Sequence, residues 1–478
     1  MTQEAILKKD PPAILRWVAL IFISLAMFGN YYIYDCISPL ADVLKAQLHF
    51  TDENIGLLQG IYSIPNIFMV LIGGIIIDRI GTKKAALIFA ALVLAGAIVT
   101  TLKGNIAVMA IGRLIFGLGA ESMIVAITTI LARWFKGKEL SFAFGLNLTI
   151  ARLGSFLALN SPTWGKVMFS YWQKPLLFAV FAGVIAVVTL IIYYLLDVYS
   201  EKRFILQKEG NQDKVIVKDL VRFGKSFWLI TLLCITFYSA MFPFQTFAVK
   251  FFKDVHLSGL PDDVARGMGG FLSSLLTLSA MILTPFFGLL SDKIGKRSLL
   301  MMFGSLLIIP VYLIMGYARR TVSLPPDVIQ LFSSSTGNSG FMGEISYILH
   351  MIVTLFRYFP NIAIPMVMMG IAFSLIPAIM WPSVALIVDH SKLGTAYGLM
   401  TMIQNIGLAG FNLLVGWAND FGHASASNPG GYHLGMWIFS TLGFFGLFFA
   451  LLLRINERGP NAHGLEYGTA YNKRPETK

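Results

Sequence analysis

The sequence predicts an all-α polytopic membrane protein, in which twelve transmembrane helices form two pseudo-symmetric halves of six helices each. Three observations lead to this fold class: the apolar composition, the number of long apolar stretches, and a charged segment halfway along the chain. Of the 478 residues, 56% are hydrophobic and 13% are charged, which is about half the charged fraction of a soluble domain. The composition excludes a soluble globular protein, a disordered chain and a secreted disulfide scaffold. A transmembrane β-barrel alternates polar and apolar residues, so its mean hydropathy would fall below the observed +0.71.

Apolar stretches long enough to span a bilayer, which takes about 20 residues, occur twelve times along the chain. The N-terminal half, 1–196, contains six of them: 15–38, 54–77, 85–102, 106–131, 140–160 and 175–196. A charged linker, 197–225, is expected in the cytosol. The C-terminal half, 226–455, contains the other six: 226–251, 268–290, 298–317, 363–388, 394–418 and 433–454. Two groups of six around a polar linker indicate a transporter built from two repeated halves.

The basic residues predict the orientation of these spans. Most of the 37 lysine and arginine residues fall in the segments on the side of the two termini. Cytosolic segments carry such an excess, so we expect both termini in the cytosol. The net charge of +12 therefore reflects topology in the lipid bilayer, and no nucleic-acid partner is expected. The N-terminus has no convincing acidic dileucine sorting signal, so a cell (inner) membrane is favoured over a lysosomal one.

Two segments fall outside the repeated pattern. The outside insertion 319–361 contains an apolar, aromatic part, 341–359, which we interpret as a helix lying on the membrane surface. A thirteenth span is the alternative, but it would invert every later segment and destroy the charge bias. The cytosolic tail 456–478 is polar and rich in turn-forming residues, so we expect it to be disordered.

A repeated loop motif follows the second span and the eighth, at equivalent places in the two halves. Glycine at the helix end allows close packing, and the second glycine makes the turn. The aspartate can accept hydrogen bonds from the free N–H groups at the N-terminus of a neighbouring helix, where the helix dipole favours negative charge. We therefore expect Asp78 beside Gly394 and Thr395, and Asp292 beside Leu140. The gate residues of the two copies are Gly74, Asp78, Arg79 and Gly81, and Asp292, Lys293 and Gly295.

Glu121 in the fourth span and Arg152 in the fifth are the most informative charged residues. Glu121 lies about 15 residues from the outer end of its span and Arg152 about 12 from the inner end of its own, so both lie near the bilayer midplane. Charges at that depth are costly unless they are paired or face water. One interpretation is a structural salt bridge between adjacent helices. The other is a pair of poles for a zwitterion, which bridge when the site is empty and separate around substrate.

These motifs together resemble the major facilitator superfamily, and the resemblance covers nearly the whole chain. In that superfamily the loop motif stabilises the outward-open state. The chain is most similar to a branch that carries dipeptides, in which the fourth-span Glu and fifth-span Arg hold the amino and carboxyl ends of the peptide; this implies those roles for Glu121 and Arg152. Besides the loop motifs, the matching segments are 31–35, 112–122, 133–140, 144–146, 151–155, 380–385 and 393–409.

Three further residues are candidates for the walls of a central cavity. Tyr31 would line the vestibule or mark the interfacial belt of aromatic residues. Asn147 would face the cavity or bond a neighbouring helix. Trp381 would contact a peptide side chain or pack in the protein interior. Two cysteines, Cys36 and Cys234, lie in apolar stretches, so no disulfide is expected, and neither a metal site nor a cofactor is predicted.

The predicted function is a carrier that moves dipeptides by alternating access, as a uniporter and as a monomer; an accessory subunit is not predictable. An alternative on the same fold is a proton-coupled symporter of amino acids or organic anions, for which Arg152 would bind the anion. Any proton coupling through the site should run through Glu121, the one acidic residue placed near the midplane. A membrane receptor or an enzyme is disfavoured, because the sequence contains no phosphate-binding loop, no nucleophile–base spacing and no soluble domain.

Overall fold

The computed structural model describes residues 11–135, 139–204, 223–318, 324–333, 341–389, 392–460 and 462–466. In the N-terminal half the helices are α1 Ala13–Asp35, α2 Ala41–Leu48, α3 Asp52–Gly60, α4 Ser63–Ile80, α5 Thr82–Leu102, α6 Ile106–Phe135, α7 Leu140–Leu159, α8 Ser161–Trp164 and α9 Gln173–Arg203. In the C-terminal half they are α10 Lys225–Phe251, α11 Asp262–Ile294, α12 Arg297–Tyr317, α13 Pro326–Ser333, α14 Phe341–Tyr358, α15 Pro360–Ile387, α16 Leu393–Phe421 and α17 His433–Glu457.

Eleven segments within these described ranges are long and apolar enough to cross a membrane. They correspond to eleven of the twelve expected spans. The remaining one, expected over 54–77, is formed by two consecutive helices, α3 and α4, which are separated by a short break after Gly60. The chain is a multi-pass integral membrane protein.

Several helices extend beyond the expected apolar cores. α9 continues to Arg203, into the segment expected to be linker, and α11 begins at Asp262 rather than at Met268. Both extensions suit the helix dipole, because Lys202 and Arg203 lie in the last turn of α9, and Asp262 and Asp263 lie in the first turn of α11. The rest of the expected linker, 205–222, lies outside the described residues.

The two halves share one packing pattern. In the N-terminal half, α1 packs against α7 and α9, and α5 packs against α6 and α9. In the C-terminal half, α10 packs against α16 and α17, and α12 packs against α15 and α17. The halves meet along two helix pairs, α3–α4 with α16 and α7–α8 with α11. We call the face at which α1 begins and α17 ends the terminal face, and the opposite one the far face.

Arg113 of α6 forms hydrogen bonds at the points where the helices of the first two spans are interrupted, the ends of α1 and α3. Its side chain is buried and donates hydrogen bonds to the backbone carbonyls of Ile33, Tyr34 and Leu58 and to Oε1 of Gln59. These carbonyls lie just before the ends of α1 and α3, where the regular backbone hydrogen bonding stops. A buried carbonyl without a donor is costly inside a membrane, so Arg113 stabilises both breaks.

The insertion forms two helices, α13 and α14. α14 packs against α15 through the buried side chains of Met351 and Leu355 and exposes Leu349, Val353 and Phe356 on another face. Such an exposed apolar face suits contact with lipid, as expected for a helix at the membrane surface. Residues 319–323 and 334–340 of the insertion lie outside the described part.

The start of the tail is ordered against the protein, which corrects the expected disorder for 462–466. The carbonyls of Glu466 and Leu465 accept hydrogen bonds from the backbone N–H groups of Lys296 and Arg297. These N–H groups lie at the N-terminus of α12 and have no partner within the helix. Leu465 is fully buried, so its apolar burial adds to the capping. The final residues, 467–478, lie outside the described part.

Candidate functional site

A central cavity of about 830 Å³, its open part included, lies between the two halves. Helices α1, α6 and α7 supply its N-terminal wall, and α10, α15 and α16 supply the opposite wall. Two residues carry charge, and the others are aromatic, polar or aliphatic. The lining consists of Asn30, Tyr31, Tyr34, Tyr62, Phe116, Ala120, Glu121, Ile124, Arg152, Tyr238, Phe242, Trp381, Thr401, Gln404 and Leu408.

Glu121 and Arg152, the two charged lining residues, both come from the N-terminal half. Glu121 lies in the middle of α6, and Arg152 lies in the C-terminal part of α7. Within the described part of the chain, neither side chain forms an ion pair, either with the other or with a third residue. The cavity therefore presents one acid and one base that are both available to a ligand.

The guanidinium of Arg152 lies over two aromatic rings. Its carbon atom Cζ is 5.2 Å from the ring centroid of Tyr31 and 5.4 Å from that of Phe373. Its Nε is buried and has no hydrogen-bond partner. Rings at this distance attract a cation through their quadrupole, and they use none of the N–H donors that a carboxylate needs.

Trp381 lines the cavity with its indole fixed by neighbouring tyrosines. Its Nε1 donates a hydrogen bond of 2.9 Å to the hydroxyl of Tyr238, and its carbonyl accepts one of 3.1 Å from the hydroxyl of Tyr397. The indole N–H is therefore satisfied within the protein. What remains toward the cavity is ring surface, which suits contact with apolar groups.

Of the other two predicted wall residues, Tyr31 lines the cavity and Asn147 does not. The side chain of Asn147 is buried and accepts a hydrogen bond of 3.0 Å from the hydroxyl of Ser24, on α1. Five residues before Arg152 on the same helix correspond to a rotation of about 140°, so the two side chains point in different directions. The structure places Asn147 between helices, which corrects its assignment to the cavity wall.

Aromatic rings close the cavity toward the far face. The ring of Tyr34 lies 4.8 Å from that of Tyr62, in its own half, and 6.1 Å from that of Phe242, on α10 of the other half. Phe242 in turn stacks on Tyr238 at 5.6 Å. These ring contacts connect the two halves on the far-face side of the cavity.

Beyond these rings, buried and half-buried ion pairs connect the halves at the far face. Asp42 of α2 binds Arg266 of α11 at 2.7 Å and Lys253 at 2.6 Å. Asp52, whose side chain is fully buried, binds Lys45 at 2.5 Å and Lys250 of α10 at 3.3 Å. Truncation of one partner would leave a buried charge unpaired, so this face is held shut.

A second kind of contact strengthens the same closure. The carboxylate of Asp420, at the end of α16, accepts hydrogen bonds from the backbone N–H groups of Asp52 and Glu53 at the start of α3. The helices come close because Gly416 has no side chain: a Cβ there would overlap the carbonyl of Asp52. Asp420 therefore caps a helix of the opposite half.

Toward the terminal face the packing between α7 and α11 is looser. On α11, a Cβ at Gly270 would overlap the carbonyl of Leu159 of α7, near the far face. At Gly288 of α11 and Gly145 of α7, near the terminal face, a Cβ would meet nothing within 4 Å. Along this pair the halves are in close contact at the far face and are not in close contact at these two glycines, from which we infer that the cavity opens toward the terminal face.

In both copies of the loop motif, a glycine adopts the conformation that its turn requires. Gly81, with φ of 84°, ends α4, and Gly295, with φ of 67°, ends α11. Both values lie in the left-handed region that favours glycine. Gly74 lies within α4, and Arg79 is exposed in its last turn. Lys293 is exposed in the last turn of α11.

Of the two gate aspartates, only Asp292 has its side chain in the described part of the structure. Asp78 lies in the last turn of α4, and its side chain is outside the described part. Asp292 accepts a hydrogen bond of 2.7 Å from Arg297 of its own loop. The expected contacts of Asp78 with α16 and of Asp292 with α7 stay predictions for a state in which the terminal face is closed.

The sequence reasoning missed three residues that shape the site: Phe373, Tyr238 and Asp420. The first two are an aromatic residue and a tyrosine within apolar spans, where such residues usually pack in the interior. Asp420 lies near the expected end of its span, which resembles an ordinary solvated boundary. None of the three has a local sequence signal, because each acts on a partner more than a hundred residues away.

The chain is similar to known membrane transporters. A family model described as Major Facilitator Superfamily matches residues 23–343. The "Lysosomal dipeptide transporter MFSD1" of Homo sapiens is 30% identical over 418 residues, covering 85% of this chain and 80% of that protein. The protein of the same description from Mus musculus is 31% identical, with the same coverage. Their description as lysosomal bears against the expected cell-membrane location.

Two further similarities are more distant. The hexuronate transporter of Escherichia coli (strain K12) is 25% identical over 232 residues, covering 46% of this chain and 53% of that protein. The crystal structure of the nucleoside transporter NupG superposes with a TM-score of 0.65 at 13% identity, covering 92% of this chain and 98% of that one. At that identity the superposition shows the fold alone. Motifs, helix packing and the matched family model agree, and the chain belongs to the major facilitator superfamily.

Proposed function

We propose that this protein carries dipeptides across a membrane by alternating access, as a uniporter. One observation carries the proposal: Glu121 and Arg152 line a single cavity and are not paired with each other. An unpaired acid and base in a membrane interior are costly. A zwitterionic ligand would offset that cost at both ends.

The chemistry assigns one end of the peptide to each pole. The carboxylate of Glu121 can accept hydrogen bonds from the terminal ammonium. The guanidinium of Arg152 can bind the terminal carboxylate through two parallel hydrogen bonds, a geometry that a lysine cannot reproduce. The described lining contains no further charge, so no other cation or anion competes for either end.

The descriptions of the relatives support this assignment. The proteins matched over 85% of this chain are described as dipeptide transporters. The match to a hexuronate transporter covers less than half of the chain; such an anion would engage Arg152 and leave Glu121 without a partner. The dipeptide uses both poles, so we prefer it.

The two packing zones between the halves support the proposal of alternating access. The far face is closed by ion pairs and by Asp420, and the terminal face is open. If both termini lie in the cytosol, as the basic residues favour, this arrangement corresponds to an inward-open state. Exchanging the closed and the open face would present the same cavity to the other side.

A dipeptide bound in the site disfavours the coupling of transport to protons. If the terminal ammonium binds Glu121, a proton on the same carboxylate is disfavoured, because the neighbouring positive charge stabilises its ionised form. The substrate and the proton would compete for one group. We therefore propose a uniporter that acts as a monomer.

The test is a binding panel with one dipeptide in three forms: free, amidated at the C-terminus and acetylated at the N-terminus. Arg152→Lys keeps the positive charge but removes the two parallel N–H donors of the guanidinium. It should weaken binding of the free form and leave binding of the amidated form largely unchanged. Glu121→Gln should weaken binding of the free form more than that of the acetylated form. A lost charge-assisted contact with its partner left buried corresponds to at least about a hundredfold in affinity.

Glu139→Gln provides the control, since Glu139 is an exposed acid outside the cavity that binds Arg16. It should alter none of the three affinities. A structural salt bridge predicts equal losses for all three ligand forms in both variants, and that result would reject the two-pole site. Binding of a hexuronate in place of every dipeptide form would favour the anion carrier.

A further inference from the structure

Phe373 brings the C-terminal half into contact with Arg152, the basic pole of the site. The two rings that contact the Arg152 guanidinium come from different halves of the protein. Tyr31 lies on α1, in the same half as Arg152, whereas Phe373 lies on α15 in the other half. Its ring centroid is 5.4 Å from Cζ of Arg152.

The rings compensate for a missing acceptor. In the described part of the chain, Arg152 has no carboxylate partner, and its Nε is buried without a hydrogen bond. A guanidinium in this position retains an uncompensated desolvation cost. Two ring faces offset part of that cost without occupying any N–H donor. The guanidinium is thereby held in place while its fork stays available to an incoming carboxylate.

Phe373 itself is held firmly. Its side chain is buried, its ring is nearly parallel to that of Phe237 at 6.5 Å, and it meets the ring of Phe242 edge-on at 5.9 Å. Phe237 and Phe242 both lie on α10. Because Phe242 also contacts Tyr34 of the other half, this cluster connects the basic pole to the aromatic closure above it.

We propose that Phe373 is a positioning residue for carboxylate binding by Arg152. Its ring orients the guanidinium in the inward-open arrangement. The affinity for the carboxyl end of the substrate therefore depends on the position of the C-terminal half relative to the N-terminal half. The inference rests on the proposed two-pole site. It adds that a residue outside the cavity lining sets the strength of one pole.

The test measures the affinity of one dipeptide in its free and its C-terminally amidated forms. Phe373→Leu keeps an apolar side chain but removes the ring, and it should weaken binding of the free form by about five- to thirtyfold, the range expected for a desolvated cation–π contact. Binding of the amidated form should change less than about twofold, since that ligand has no carboxylate. Phe373→Tyr retains a ring and should bind like the unaltered protein.

Phe237→Leu is the matched control. Phe237 belongs to the same cluster, is equally buried and makes no described contact with Arg152. If the role of Phe373 were only structural, both leucine variants would change both ligand forms by similar factors. That result, or a selective loss in Phe237→Leu, would overturn the proposal.

A second measurement does not depend on the substrate. Phenylglyoxal modifies arginine, and the rate at which it modifies Arg152 can be followed by peptide mass spectrometry without any dipeptide present. Phe373→Leu should raise this rate severalfold relative to Phe237→Leu; equal rates would overturn the positioning role. If the unaltered protein binds free and amidated peptides equally, the two-pole site fails, and the modification rates still decide whether Phe373 restrains Arg152.

Discussion

The carboxylate of Asp420 accepts a hydrogen bond of 2.9 Å from the backbone N–H of Asp52, which joins the end of α16 to the start of α3 across the two halves. The neighbouring N–H of Glu53 donates a second bond of 2.6 Å to the same carboxylate. The first N–H groups of a helix have no partner within the helix and carry partial positive charge. A carboxylate at that point therefore stabilises the contact through both hydrogen bonding and charge.

The expected contact of Asp78 would place the opposite ends of the same helices together. Asp78 lies in the last turn of α4, and its expected partners, Gly394 and Thr395, lie in the first turn of α16. Each of the two spans would thus carry an aspartate at its C-terminal end that caps the N-terminal end of the other. Only one of the two contacts can form at a time if the halves rock about the central site.

Loss of the far-face cap should open that face. Asp420→Asn removes the charge at the start of α3, and we expect it to shift the conformational equilibrium toward the far-face-open state by about tenfold. Lys103 and Ser258 are exposed at the far face on opposite halves. After replacement of the buried Cys36 and Cys234, spin labels on Lys103→Cys and Ser258→Cys would report the distance between the halves by pulsed EPR. Glu53→Gln, which leaves the backbone donors intact, is the control. An unchanged distance distribution in Asp420→Asn would count against the cap.

Loss of the terminal-face cap should act in the opposite direction. We expect Asp78→Asn to increase the terminal-face-open population and to lower turnover more than substrate affinity, because a closing contact is lost while the cavity is intact. The same labels and a transport assay measure both effects. In the double variant Asp78→Asn/Asp420→Asn the two shifts should largely cancel. A double variant that behaves like either single variant would contradict the reciprocal arrangement.

The uniport mechanism predicts equilibration without concentration. In proteoliposomes with a pH gradient and a neutral dipeptide, uptake should stop when the inside and outside concentrations are equal, because the ammonium and the proton compete for Glu121. The measurement is the final internal concentration with and without the gradient, and liposomes containing Arg152→Ala serve as the blank. Gradient-driven accumulation above the external concentration would establish proton coupling instead.

Asn147 should matter for stability and not for recognition. Asn147→Ala removes the hydrogen bond to Ser24 between α7 and α1, which costs about 1 kcal/mol inside a membrane protein. Thermal unfolding should shift downward, while dipeptide affinity should stay within about twofold. Ser24→Ala should have the same effect, and the double variant should be no worse than either single one. A loss of dipeptide affinity without a loss of stability would instead support a role of Asn147 in the substrate site.

The apolar stretches and the loop motif predicted much of the architecture. A run of about 20 apolar residues must form a helix in lipid, since no other local structure satisfies its backbone. The division into two halves followed from the charged linker and from the repeat of the motif around Asp78 and Asp292. The ordered start of the tail was missed, because its partners, Lys296 and Arg297, lie far away in sequence.

By itself, the sequence determined the fold class, the expected orientation and the two charges near the midplane, because hydropathy and the cost of buried charge act within single segments. Only the tertiary structure decided that Glu121 and Arg152 share a cavity without pairing, that Asn147 faces Ser24, and that Phe373 contacts Arg152. These relationships depend on the rotation of each helix about its axis and on the relative position of the two halves. Both are set by packing between distant segments, which leaves no periodic signal along the chain.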